Sequence, residues 1–175
     1  VQFTVSEGVE QLHQGIEVDF VAQPQPEVPY TLRGFVSVGD WKYQNQAFSR
    51  TYNEDRELLE QSSNDVDGGD VGDAAQFTAG VGLDIELAER LSVDGDVRFY
   101  DNLFADVGPT ANNLELPSYQ LMDLGISYKM PVNSGSLDIR LNLNNVFDKI
   151  YLGELRTAIV AGDEDATGVL YNGID

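Results

Sequence analysis

Leu137, Ile139, Leu141 and Leu143 are apolar, and Asp138, Arg140, Asn142 and Asn144 fill the positions between and after them. A period of two is that of a β-strand with one apolar and one polar face. Five further segments repeat it. GIEVDFVA sets Ile16, Val18 and Phe20 against Gly15, Glu17 and Asp19, and YTLRGFVSVGDWKY sets Leu32, Val36 and Val38 against Arg33 and Ser37. QFTAGVGLDIEL carries Phe77, Ala79, Val81, Leu83, Ile85 and Leu87 opposite Thr78, Gly80, Gly82, Asp84 and Glu86. LSVDGDVRFY opposes Leu91, Val93, Val97 and Phe99 to Ser92, Asp94, Asp96 and Arg98, and YQLMDLGISYKM opposes Leu124, Ile126, Tyr128 and Met130 to Asp123, Ser127 and Lys129. Six such runs in series predict an all-β antiparallel meander of about six strands.

The connections alternate in length. Residues 22–29, 88–90 and 131–136 are short links, whereas 46–75, 105–118 and 148–175 are long and polar. Short turns at one end and long loops at the other are the pattern of an outer-membrane β-barrel, with turns periplasmic and loops extracellular. Within the first long connection, NEDRELLEQ has an acidic start and a Leu58-Leu59 pair, which predicts a short loop helix.

No run of about 18 apolar residues exists, so no transmembrane helix is predicted, and VQFTVSEGVE lacks the basic start and apolar core of a signal peptide. Barrel strands need only about 9 to 11 residues to span, with weak hydropathy, and the mean hydropathy of -0.25 permits that. Tyr30, Trp41, Tyr43, Tyr100, Phe104, Tyr119, Tyr128, Phe147 and Tyr151 fall mostly near strand ends, where interfacial girdles would put them. The alternative is a soluble β-sandwich, in which the polar face meets solvent instead of a lumen.

Charge narrows the chemistry. A formal net charge of -20 makes nucleic acid a poor partner, because phosphate binding needs Lys and Arg. The chain has no Cys, which excludes thiolate sites and disulfides, and His13 is its one histidine. Much of the acid lies in long connections: Glu54, Asp55, Glu57, Glu60, Asp65, Asp67, Asp70 and Asp73 in the first, and Asp148, Glu154, Asp163, Glu164, Asp165 and Asp175 in the last. Asp65, Asp67, Asp70 and Asp73 are hard oxygen ligands of the kind Ca²⁺ takes, but no register matches an EF-hand loop. The expectation is no cofactor, with Ca²⁺ on these four carboxylates as the alternative to a solvated acidic loop. Asp94 and Asp96 share a strand face, as a glycosidase pair would, yet no cleft is predicted around them, and no enzyme is expected.

LNLNNVFDKIY, Leu141 to Tyr151, resembles the segment near the C-terminus of TonB-dependent outer-membrane receptors. HQGIEVDF is similar to a strand opening of that family, VGDAAQFTAGVGLDIE resembles a loop-to-strand entry, and YDNLFADV also fits. The resemblance implies a piece of a barrel of about 22 strands around a plug, in the bacterial outer membrane. It implies active uptake of a scarce ligand (a ferric siderophore, cobalamin or a glycan) energised by the TonB complex through an N-terminal region. No plug, coupling segment or closing aromatic strand matches, so residues 1–175 are expected to be the C-terminal portion of such a receptor without its last strand.

On this reading Leu137, Ile139, Leu141 and Leu143 face lipid, and Phe147 and Tyr151 meet the outer interface. Partners are then outer-membrane lipid, the rest of the receptor chain with its plug, the TonB complex and a small ligand. A passive porin-like barrel and a ligand-binding or calcium-binding sandwich are the alternatives. Trp41, Tyr43, Phe48 and Tyr52 are the candidate ligand-stacking groups, and the acidic loops favour a neutral or cationic ligand.

Overall fold

Among the described residues, the long polar connection at 46–75 contains two strands of its own, and no helix. In a computed structural model the described residues are 2–23, 29–72, 74–156 and 169–171. Thirteen strands run through them. They are β1 Phe3–Glu7, β2 Glu10–Ala22, β3 Tyr30–Gln44, β4 Gln46–Tyr52, β5 Leu58–Asp65, β6 Phe77–Ala88 and β7 Leu91–Asp101. There follow β8 Leu103–Phe104, β9 Glu115–Leu116, β10 Tyr119–Val132, β11 Gly135–Leu143, β12 Glu154–Arg156 and β13 Val169–Tyr171.

All six predicted strands join one antiparallel sheet in the order β11-β10-β7-β6-β3-β2. Its registers put every apolar series on one side. Ile16 pairs with Val38, Val38 with Phe77, Val81 with Val97, Val97 with Met122 and Ile126 with Leu141. Paired residues share a face, so the apolar side is continuous from β2 to β11. It is uncovered: Ile16 is 73% and Leu141 68% exposed. A soluble sandwich would bury that surface beneath a second sheet, and among the described residues none lies over it.

On β3 the apolar band runs from Tyr30 to Val38, the length a tilted barrel strand needs to cross a bilayer. Beyond it the same side turns polar at Asp40, Lys42 and Gln44, and Gln14 Nε2 donates to Asp40 Oδ2 at 2.9 Å. The sheet therefore continues past the apolar band at its loop end. There Gly8 and Asn45 adopt positive φ (75° and 68°), which bends the β2/β3 hairpin into β1 and β4. A Cβ on Gly8 would lie 3.1 Å from the Phe48 ring, and the left-handed backbone also favours glycine. Asn45 tolerates that region better than most residues and anchors it, its Nδ2 donating to Glu10 Oε2 at 2.7 Å.

The helix expected in NEDRELLEQ is instead a hairpin turn leading into β5. Asn53 Oδ1 accepts from Glu57 N at 2.8 Å, Arg56 takes φ 61°, and β4 and β5 pair from Gln46↔Asp65 to Tyr52↔Leu58. Local acid and a Leu pair favoured a helix, but pairing with β4 overrode them. With β1 the hairpin makes a second sheet of order β1-β4-β5. Buried side chains concentrate at this loop end, in a cluster of Tyr43, Ala47, Val66 and Val71 and another of Leu103, Ala105 and Leu116.

Candidate functional site

The polar face is a wall of ion pairs, built where glycines let long side chains lie across neighbouring strands. Arg33 on β3 registers with Gly82 on β6, which registers with Asp96 on β7. The guanidinium passes over Gly82: Nη2 donates to both Asp96 oxygens at 2.9 Å, and Nη1 donates to Asp84. A Cβ at Gly82 would sit 2.6 Å from Asp96 Oδ1 and 2.7 Å from Arg33 Nε. From the opposite direction Arg140 on β11 crosses β10 at Gly125 and donates from Nη2 to Asp94 Oδ2 at 2.8 Å. The Asp94 and Asp96 carboxylates are thus each held by an arginine, as wall charges.

Higher on the same face Arg98 pairs with Asp123, whose Oδ1 also accepts from Asn145 N at 2.8 Å. Asn145 then closes its own turn, accepting from Lys149 N at 2.9 Å and donating to Lys149 O at 3.1 Å. That turn delivers Tyr151 onto Tyr119, with ring centroids 4.3 Å apart, and Tyr119 stacks on Tyr100 at 4.8 Å. Tyr100 and Tyr119 are register partners with the polar-face parity of Arg98 and Asp123. Tyr151 was expected at the outer interface beside Phe147, but it turns to the polar side, while Phe147 stays 63% exposed. Offset aromatic pairs at these separations add stabilisation beyond burial. The stack was missed because Tyr151 lies beyond the alternation; the shared parity of Tyr100 and Tyr119 was its one sequence signal.

The described residues of the first two long connections form a cap around Tyr43. Residues 66–72 run beside β3 where β6 no longer does: Gly68 N donates to Tyr43 O at 2.9 Å, Tyr43 N to Gly69 O at 2.8 Å and Val71 N to Trp41 O at 3.1 Å. Gln76 Oε1 accepts from Trp41 N at 2.8 Å, and Lys42 Nζ pairs with Asp70 at 2.5 Å. The second long connection packs on the first, with Tyr43 OH donating to Val107 O at 2.8 Å and Asn113 Nδ2 to Asp70 O at 3.0 Å. A Cβ on Gly69 would run into the carbonyl of Thr110, so only glycine permits that approach.

The four candidate stacking residues do not share one place. Trp41 is half-buried and stacks on His13 with centroids 5.0 Å apart, and Tyr43 is wholly buried in the cap. Phe48 and Tyr52 lie on β4 in the outer sheet, Tyr52 stacking on Phe3 at 5.4 Å. Of the four candidate calcium ligands, Asp73 lies outside the described residues, as do the acids at 163–165 and 175. Asp65 Oδ1 accepts from Asp67 N at 3.2 Å, Asp67 Oδ1 from Asn45 N at 3.4 Å, and Asp70 holds Lys42. Among the described residues no three carboxylate or histidine groups gather as a metal site.

A family model described as "TonB dependent receptor-like, beta-barrel" matches residues 4–146. No curated protein and no solved structure matches the chain.

Proposed function

The chain belongs to the TonB-dependent receptor-like β-barrel family, a family of bacterial outer-membrane transporters, and from that premise we propose that it serves active uptake of a scarce ligand. The observation that carries this reading is the two-faced sheet, with uncovered apolar residues toward lipid and the arginine–carboxylate wall toward a lumen. Residues 1–175 then form the C-terminal portion of the barrel. Other parts of the receptor supply the strands beside β2 and β11, the plug and the segment that meets the TonB complex.

The ligand would meet the outer cap before the wall. Tyr100, Tyr119 and Tyr151 stand at the loop end of the polar face, each half-buried, and can offer ring edges and hydroxyls to it. Trp41 contributes from β3, and Phe48 and Tyr52 from the first long connection, while Tyr43 keeps that connection folded. Ferric siderophores, cobalamin and glycans are the ligand classes to try, and the acidic cap favours neutral or cationic members.

Uptake of each labelled ligand by cells carrying the complete receptor tests the reading. Uptake that stops when the inner-membrane proton gradient is collapsed supports active transport; uptake that persists supports a passive pore. Tyr119→Ala should lower apparent ligand affinity by about tenfold, the scale of one lost stacking contact.

A further inference from the structure

The main sheet's edge strands, β2 and β11, are where further barrel strands would add, but among the described residues the outer sheet has an open edge of its own. Among the described residues β5 pairs only with β4, and all eight of its residues are exposed. An edge strand presents a row of unpaired N–H and C=O groups, which proteins guard with proline, bulges or charge. From Leu58 to Asp65 there is no proline, and the one register irregularity lies at the turn, between Thr51 and Tyr52. The guard is charge alone. Glu57, Glu60, Asp65 and Asp67 mark this stretch, with no Lys or Arg from 57 to 67. Arg50, on the neighbouring strand, is occupied by Glu7 and by Gln61 Oε1 at 3.2 Å.

Two such acidic edges repel each other, so charge opposes pairing between copies, while it attracts a basic strand. The edge is also preformed. The Asn53–Glu57 turn closes the hairpin, and β4 is fixed on its other side by the Thr4–Thr51 hydroxyl bond at 3.0 Å and the Glu7–Arg50 pair. A partner strand would find its template already ordered, which lowers the entropy cost of binding. We propose that β5 is a docking edge for an extended basic polypeptide segment outside the cell, which adds as a fourth strand beyond β5. Lysines or arginines of that segment would stand opposite Glu60 on one face and Asp65 on the other, while main-chain hydrogen bonds fix the register.

The test uses the complete receptor in detergent and a labelled nine-residue peptide repeating Lys-Lys-Thr-Thr, which puts lysines on both strand faces. A second peptide has the same side chains but N-methyl groups on every backbone nitrogen after the first residue, which removes the donors from both strand edges without changing charge. The first peptide should bind, the second at least about tenfold more weakly, and Glu60→Lys with Asp65→Lys should weaken the first by a similar factor. Hydrogen exchange of the β5 amides should slow when the first peptide is bound, a readout that a fold defect in the variant does not mimic. Equal binding of both peptides would overturn the proposal, leaving a diffuse charge attraction, and so would binding of neither. Energy-dependent ligand uptake is read separately, so this result and the transport reading can fail independently.

Discussion

Arg140 on β11 holds Asp94 on β7 at 2.8 Å although strand β10 lies between them. The span is possible because Gly125, the β10 residue registered with Asp94, has no side chain in the way. Arg33 reaches Asp96 from the other side by the same device over Gly82. Two arginines thus converge on one strand, and the wall between β3 and β11 is stitched by side chains as well as by the ladder.

That geometry makes Gly125 a sensitive position. A Cβ there would stand 2.5 Å from Asp94 Oδ2 and 2.8 Å from Arg140 Nη2, so Gly125→Val should expel the guanidinium and cost about 1–3 kcal/mol. Gly135 serves as the control, since a Cβ there meets nothing within 4 Å, and Gly135→Ala should stay within about 0.5 kcal/mol. Reversible unfolding of the complete barrel in lipid measures both. Equal losses would mean that the Arg140–Asp94 bridge does not depend on Gly125.

Arg33 should be irreplaceable by lysine. Its fork serves Asp84 and both oxygens of Asp96 together, and a single ammonium cannot reproduce that geometry. The groups are about a third exposed, so the coupling is modest: a double-mutant cycle of Arg33→Lys with Asp96→Asn should give about 0.5–1 kcal/mol. A coupling near zero would show that the wall pair is screened away.

Where the hydrophobic period was two and unbroken, the sequence predicted strand, facing and partner side together, as Leu137 to Leu143 and Phe77 to Ile85 show. Alternation reports burial against lipid or core, and it falls silent where strands stand clear of both. Gln46–Tyr52 and Leu58–Asp65 are such strands, exposed or half-exposed on both faces except at Ala47, so their pairing left almost no periodic signal. The long-range partners were also illegible. Nothing in the spacing of Asp94 and Asp96 says that arginines from two different strands reach them, because that follows from register and from glycines on intervening strands. Tyr43 and Tyr52 looked alike as loop aromatics, yet one is wholly buried and the other stacks on Phe3.

Tyr43 should tie the two long connections together. Tyr43→Phe keeps the ring in its cluster but removes the hydroxyl that donates to Val107 O, a loss of about 1 kcal/mol. Local opening of residues 102–118 should become roughly fivefold more frequent, while the barrel's global unfolding stays nearly unchanged. Limited proteolysis of that connection reads the opening rate. Unchanged cleavage would mean that Gly69 packing on Thr110 and the Asn113 bonds suffice without the hydroxyl.

The facing of β11 admits the sharpest contrast, because it sets neighbouring residues against each other. Leu141 registers with Ile126 on the apolar side and is 68% exposed, whereas Asn142 registers with Gly125 on the polar side and accepts from Arg140 Nε at 2.8 Å. An arginine at 141 would put its charge into hydrocarbon. An arginine at 142 would face water and the carboxylate of Asp94. Near the bilayer midplane Leu141→Arg should therefore destabilise the complete barrel by about 2–4 kcal/mol, and Asn142→Arg by much less, with the lost Arg140 bond as its main cost. Unfolding titrations in lipid vesicles decide between them: losses of similar size would assign both faces of β11 to the same medium, and the lipid-facing assignment of Leu137, Ile139 and Leu143 would fall with that of Leu141.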